Sequence, residues 1–146
     1  MRMNKILFFI LLVCLLIYRP SSAEQIKDGG GKAQLPDSSV YKGEFKDGLF
    51  NGKGSLVWRN GNKYEGEFRD GLLNGNGTYE LVNGDKYTGQ FKDGLMHGKG
   101  SLVSSNGDTY EGEFEDGYIE GSGVLVRNSV RIEGRFKRGV PFGRVI

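Results

Sequence analysis

The sequence predicts an all-β fold, an antiparallel meander of successive β-hairpins built from about 4.5 repeats of 23 residues. Three observations predict it. Tyr41, Tyr64, Tyr87 and Tyr110 stand 23 residues apart, with Ile132 following 22 later, and each opens a near-copy of one pattern. The copies read YKGEFKDGLFNGKGSL, YEGEFRDGLLNGNGTY, YTGQFKDGLMHGKGSL and YEGEFEDGYIEGSGVL, then a shortened IEGRFKRGVPFG. Self-similarity at such a period marks stacked units whose core exists only between neighbours. Within each copy, as in Tyr64-Glu65-Gly66-Glu67-Phe68, apolar or small residues alternate with charges, the period-two signature of a half-buried strand. No stretch of the repeats shows a 3.6-residue period, so helices are not expected.

Ahead of the repeats, Met1–Lys5 is a short basic start and Ile6–Tyr18 an unbroken apolar run. Small residues at Ser21 and Ala23 then fit a signal-peptidase site, so residues 1–23 read as a secretory signal peptide cut after Ala23. The run is short for a spanning helix, which wants about 17–25 apolar residues; an uncleaved membrane anchor is the alternative. Cys14 is not a lipidation site, because Val13 before it is too bulky. Residues 24–39, with Gly29-Gly30-Gly31, Pro36 and Ser38-Ser39, carry no apolar periodicity and read as a flexible linker. The repeat domain follows over 41–146, as repeats 41–63, 64–86, 87–109 and 110–131 and a partial cap over 132–146.

Each repeat supplies two strands. The first opens at Tyr; the second follows Gly-x-Gly and carries Leu56, Tyr79, Leu102 or Leu125. Counting sets the register. Leu56–Tyr64, Tyr79–Tyr87 and Leu102–Tyr110 are each eight positions apart, so facing pairs require an odd loop. A three-residue loop with Gly in the left-handed conformation fits Arg59-Asn60-Gly61, Val82-Asn83-Gly84 and Ser105-Asn106-Gly107. Leu125 and Ile132 are seven apart, and a two-residue loop, Asn128-Ser129, restores the same facing pair. A slip of one would invert every side chain. One face then carries Tyr, Phe and Leu over glycines Gly43, Gly66, Gly89 and Gly112, and the other carries charges of mixed sign. Nine strands at about 4.8 Å spacing make a twisted ribbon roughly 40 Å long.

Composition narrows function. Losing Arg2, Lys5 and Arg19 with the signal segment leaves 17 basic residues against 18 acidic, a net charge of about −1. That disfavours nucleic acid, which needs a basic surplus. The 25 glycines fall at fixed repeat positions without a Gly-X-Y register, which excludes collagen. With Cys14 removed, the mature chain has no cysteine and holds together without disulfides.

The pattern Y-x-G-x-F-x-x-G-x-x-x-G-x-G, matched by Tyr41, Gly43, Phe45, Gly48, Gly52 and Gly54 and recurring from Tyr64, Tyr87 and Tyr110, resembles the MORN repeat, the membrane occupation and recognition nexus motif. The resemblance covers Tyr41 to about Arg131 well and the tail to Gly143 loosely. It implies a meandering antiparallel sheet, and roles in phospholipid binding, membrane tethering or scaffolding. Many relatives carry an enzymatic domain beside their repeats; none is visible in this chain.

No catalytic, cofactor or metal constellation is expected. His97 holds a turn place that Asn51, Asn74 and Glu120 hold elsewhere. Asp47, Asp70, Asp93 and Asp116 each precede a turn glycine and do not form a dense calcium loop. Gly-x-Gly without a following helix is no phosphate cradle. Two features are left as candidate binding surfaces. The apolar pairs Leu49-Phe50, Leu72-Leu73, Leu95-Met96, Tyr118-Ile119 and Val140-Pro141 recur in the connections. One member of each plugs the rim of the sheet, and the others, lined up, would make an exposed apolar stripe. The second feature is basic: Arg127, Arg131, Arg135, Lys137, Arg138 and Arg144 follow an acidic fourth repeat. They serve either an anionic lipid surface or acidic partner, or a charged end strand that discourages aggregation.

The expectation is a non-catalytic, exported module, periplasmic or secreted, that binds a partner protein or a membrane surface. The alternatives are an anionic-lipid-binding adaptor and a regulatory subunit of a separate enzyme. No cofactor, small-molecule substrate or nucleic acid is expected.

Overall fold

The structure, a computed structural model, describes residues 28–142. The signal segment over 1–23, the start of the expected linker and Arg144 lie outside the described residues. Eleven strands follow in chain order: β1 (Gly29–Gln34), β2 (Val40–Lys46), β3 (Leu49–Val57), β4 (Lys63–Arg69), β5 (Leu72–Glu80), β6 (Lys86–Lys92), β7 (Leu95–Val103), β8 (Thr109–Glu115), β9 (Tyr118–Arg127), β10 (Val130–Lys137) and β11 (Val140–Phe142). Each pairs antiparallel with its sequence neighbours in one open meander sheet.

The register is the one that counting gives. Leu56 faces Tyr64, Tyr79 faces Tyr87, Leu102 faces Tyr110 and Leu125 faces Ile132. In the three-residue loops the Trp58 N–H donates to the Asn62 carbonyl and the Gly61 N–H to the Trp58 carbonyl, both at 2.9 Å. Gly61, at φ +90°, occupies the left-handed position that the loop requires. At the other edge two-residue turns, four Asp-Gly and then Arg138-Gly139, close the hairpins with both central residues left-handed, as at Asp47 (φ 52°) and Gly48 (φ 75°). That conformation is the mirror-image turn whose twist matches the strands.

Between the two edges each hairpin carries an irregularity absent from the sequence reading. Gly43 faces Gly54 but Phe45 faces Phe50, so three residues of β3 span the place of one in β2. Glu44 caps the gap, its carboxylate accepting the Lys53 N–H at 3.0 Å. Glu67, Gln90 and Glu113 do the same for Asn76, Lys99 and Ser122. These side chains were expected only to decorate the solvated face. They also satisfy backbone donors that the irregular ladder leaves unpaired.

The core is a chain of rings. Each Tyr ring lies along its own hairpin over a glycine pair, and its hydroxyl donates to the carbonyl three residues on, as from Tyr41 to Glu44 at 2.8 Å. A Cβ at Gly54 would sit 2.5 Å from the Tyr41 hydroxyl, so only glycine fits beneath the ring. Edge-to-face contacts join each unit to the next: Tyr41–Phe68 at 5.1 Å, Tyr64–Phe91 at 5.1 Å, Tyr87–Phe114 at 4.9 Å and Tyr110–Phe136 at 5.2 Å. The rings therefore bury one another across repeats, as a quasi-one-dimensional architecture demands.

Two strands exceed the nine expected, one at each end. The segment over 24–39 is not a flexible linker throughout, because β1 lies within it. Gly29, Gly31 and Ala33 pair with Phe45, Gly43 and Tyr41, as Gly52, Gly54 and Leu56 pair with Phe68, Gly66 and Tyr64. Leu35–Ser39 closes the same loop as Trp58–Asn62, with the Leu35 N–H donating to the Ser39 carbonyl at 2.8 Å. Residues 29–39 are thus a degenerate half-repeat. Its glycines and alanine carry no alternation, which hides it from a period count.

Candidate functional site

The polar face is built by parity. Residues opposite in phase to Tyr, Gly and Phe project from it, and the twist of the sheet hollows it into a trough. Over β6–β10 this trough has a volume of ≈ 1200 Å³, and a smaller hollow of ≈ 480 Å³ lies between Lys42 and Asn76. Facing pairs give the larger trough its chemistry. Lys99 faces Glu113, Ser101 faces Glu111 and Val103 faces Thr109. Val124 faces Glu133, Val126 faces Arg131 and Ser122 faces Arg135. Glycine backbone, valine and charges of both signs line it together. The sequence reading missed Val103, Val124 and Val126, although their phase within the strands placed them on this face.

The structure divides the basic cluster. Arg131, Arg135 and Lys137 share the polar face of β10, and Arg131 pairs with Glu133 at 2.8 Å. Arg127 turns instead to the loop edge, where its guanidinium lies 3.3 Å from the buried Asp108 carboxylate. Arg138 sits in the turn at the opposite edge, its guanidinium 4.9 Å from the centre of the Tyr118 ring. Across the last hairpin Lys137 faces Val140 and Arg135 faces Phe142. Val140 and Phe142 are 63% and 47% exposed.

The apolar pairs open strands β3, β5, β7, β9 and β11, just after the two-residue turns. Leu73, Met96 and Ile119 are buried, and Phe50 stacks on Tyr41 at 3.8 Å. The other members, Leu49, Leu72, Leu95 and Tyr118, are half-buried. Leu49, Leu72 and Leu95 face Lys46, Arg69 and Lys92 across their hairpins, so long cationic side chains flank what was expected as an exposed stripe.

His97 faces Gln90 inside β7, half-buried. Among the described residues no group of three or more histidines, cysteines or carboxylates stands ready to hold a metal. Burial pushes the tyrosine hydroxyls up, Tyr41 and Tyr110 to about 12 and Tyr64 and Tyr87 further, so they stay protonated at neutral pH. Their hydroxyls point into backbone carbonyls and not into the trough. Among the described residues the arrangement offers a surface, with no convergent reacting groups.

A comparison with curated proteins returns no match. The family model of the MORN repeat matches residues 41–63, 64–86, 87–109 and 110–129, the four full units of the sheet. Repeats of this family are generally involved in protein or membrane binding. With four consecutive matched units joined by the same register and the same rings, this chain belongs to the MORN-repeat family.

Proposed function

We propose that this chain is an exported, non-catalytic interaction module that takes a polypeptide partner along the trough over β6–β10. The trough carries the reading. Its lining interleaves Lys99, Arg131 and Arg135 with Glu111, Glu113 and Glu133 and with Val103, Val124 and Val126. Balanced charge around an apolar strip suits a polypeptide carrying both signs, with the charges setting orientation and the apolar strip supplying burial. Export rests on the N-terminal sequence, with its basic start, apolar run and Ser-x-Ala site. The test is affinity capture from the extracytoplasmic or secreted fraction by the wild-type chain and by a Glu111→Lys, Arg135→Glu variant. A partner held by wild type and lost by the variant supports the trough; equal capture by both removes it.

A second reading is favoured by the last hairpin, where exposed Val140 and Phe142 stand directly across from Lys137 and Arg135. Apolar residues flanked by cations suit an anionic bilayer surface, at about 1 kcal/mol for each cation near it. Co-sedimentation with phosphatidylserine vesicles tests this directly. Changing Arg131, Arg135 and Lys137 to Glu then abolishes binding, and wild type that ignores such vesicles at low salt ends the lipid reading.

A further inference from the structure

The edge of the sheet formed by the two-residue turns reverses its charge at the C-terminal end. We propose that the fourth and fifth of these turns form a two-fold contact with a second copy of this chain, each fourth turn against the partner's fifth. Three observations support this contact.

First, the charges are complementary. The first three turns each pair a base with an acid, as Lys46-Asp47, Arg69-Asp70 and Lys92-Asp93. The fourth, Glu115-Asp116, is wholly acidic, and the fifth, Lys137-Arg138, is wholly basic; all four residues are exposed. Arg69 reaches the Asp93 carboxylate of the following turn at 4.0 Å, but among the described residues Glu115, Asp116 and Lys137 have no ion pair. The Arg138 N–H donates to the Glu120 carboxylate at 3.1 Å, which holds the basic turn in place.

Second, the positions are equivalent. Glu115 and Lys137 end β8 and β10, and Asp116 and Arg138 are the left-handed residues that follow them. Neighbouring turns on this edge stand two strands apart, about 10 Å. A two-fold axis along the sheet normal, midway between the fourth and fifth turns, reverses the edge of the second copy. It sets Glu115 against the second copy's Lys137 and Asp116 against its Arg138. Each pairing occurs twice, because in an isologous contact residue i meets j and j meets i.

Third, the same axis brings apolar surface together. Tyr118 faces Glu115 and Val140 faces Lys137 across their hairpins, so Val140 of one copy comes to Tyr118 of the other. Val140 is 63% exposed, whereas Leu49, Leu72 and Leu95 at the equivalent place are half-buried. Two turns from each copy make a contact smaller than a standard interface, so the dimer is weak and loosens with salt. It is closed, and its two troughs open to the same side.

Sedimentation velocity at low salt, over a concentration series of the full chain, tests this. Wild type is expected to pass from monomer to dimer and no further. Glu115→Lys or Lys137→Glu alone is expected to weaken dimerisation roughly tenfold, by setting like charges face to face twice. An equimolar mixture of those two variants restores it, because each then offers the other an opposite charge. Lys46→Glu makes the same exchange at the first turn and is expected to dimerise as wild type does. All three are expected to melt as wild type does, so a lost dimer reports the contact and not the fold. A wild type that stays monomeric, or a mixture that fails to restore the dimer, overturns the proposal. So does equal weakening by Lys46→Glu, which would make the effect one of net charge. Dimerisation untouched by Lys137→Glu, with binding to phosphatidylserine vesicles lost, assigns the turn to a bilayer and overturns it too.

Discussion

Arg127 and Asp108 form an ion pair, 3.3 Å apart, that ties the loop ending at Asp108 to the next loop on the same edge, which is a residue shorter than its predecessors. In the earlier loops a side chain at the equivalent place accepts a backbone N–H from the next loop. Ser39 takes Arg59, Asn62 takes Val82 and Asp85 takes Ser105, at 3.2, 3.1 and 2.8 Å. Asp108 is 5% exposed, and the shortened loop beyond it is reached through a guanidinium instead. A residue from the basic cluster thus serves the stacking of repeats.

Removing that cation leaves a buried carboxylate without its charge partner. Arg127→Ala is expected to cost about 1–3 kcal/mol in urea melts, the penalty of a buried carboxylate that keeps the Asn106 amide donor but loses its cation. Arg131→Ala, whose pair with Glu133 is exposed, is expected to cost no more than about 0.5 kcal/mol. Equal costs would place Arg127 among the free surface charges.

Gly66 and its neighbour Glu67 separate the two faces. A Cβ on Gly66 would sit 2.5 Å from the Gly77 Cα and 2.6 Å from the Tyr64 hydroxyl. Gly66→Val is therefore expected to lose about 3 kcal/mol or more through overpacking. Glu67→Val loses only the bond to the Asn76 N–H, about 1 kcal/mol. Urea midpoints of the two variants check the ranking.

Alkaline pH is expected to unfold the chain cooperatively. The buried hydroxyls of Tyr41, Tyr64, Tyr79, Tyr87 and Tyr110 are raised above their ordinary 10.0. Raised folded values mean that the unfolded chain gives up these protons first. Their contribution is whole below pH 10 and falls as pH rises through the folded values, by about 1.4 kcal/mol per pH unit for each tyrosine. Tyrosinate absorbance and circular dichroism should change together above pH 10. Independent titration near 10 with an intact fold would show the rings to be accessible.

On the proposed export, N-terminal sequencing of the mature chain is expected to begin at Glu24. A full-length, membrane-embedded product would instead support the uncleaved anchor.

The repeat period, the strand type, the facing pairs and the ring-bearing face were legible in the sequence because each follows from local spacing. Alternation of period two assigns a face, and loop parity then propagates it without knowledge of any contact. The two-residue loop at Asn128-Ser129 follows from the same parity. Three things were decided only in the folded chain. β1 was hidden because Gly29-Gly30-Gly31 carry no side chains to alternate, and its strand character comes from pairing with β2. The carboxylates of Glu44, Glu67 and Glu113 bond across an irregularity that no spacing announces. The basic cluster, contiguous in sequence, parts among a loop edge, a strand face and a turn, because side chains in a β-sheet are sorted by parity and by neighbours a full repeat away. Sequence proximity along a strand is not proximity on one face.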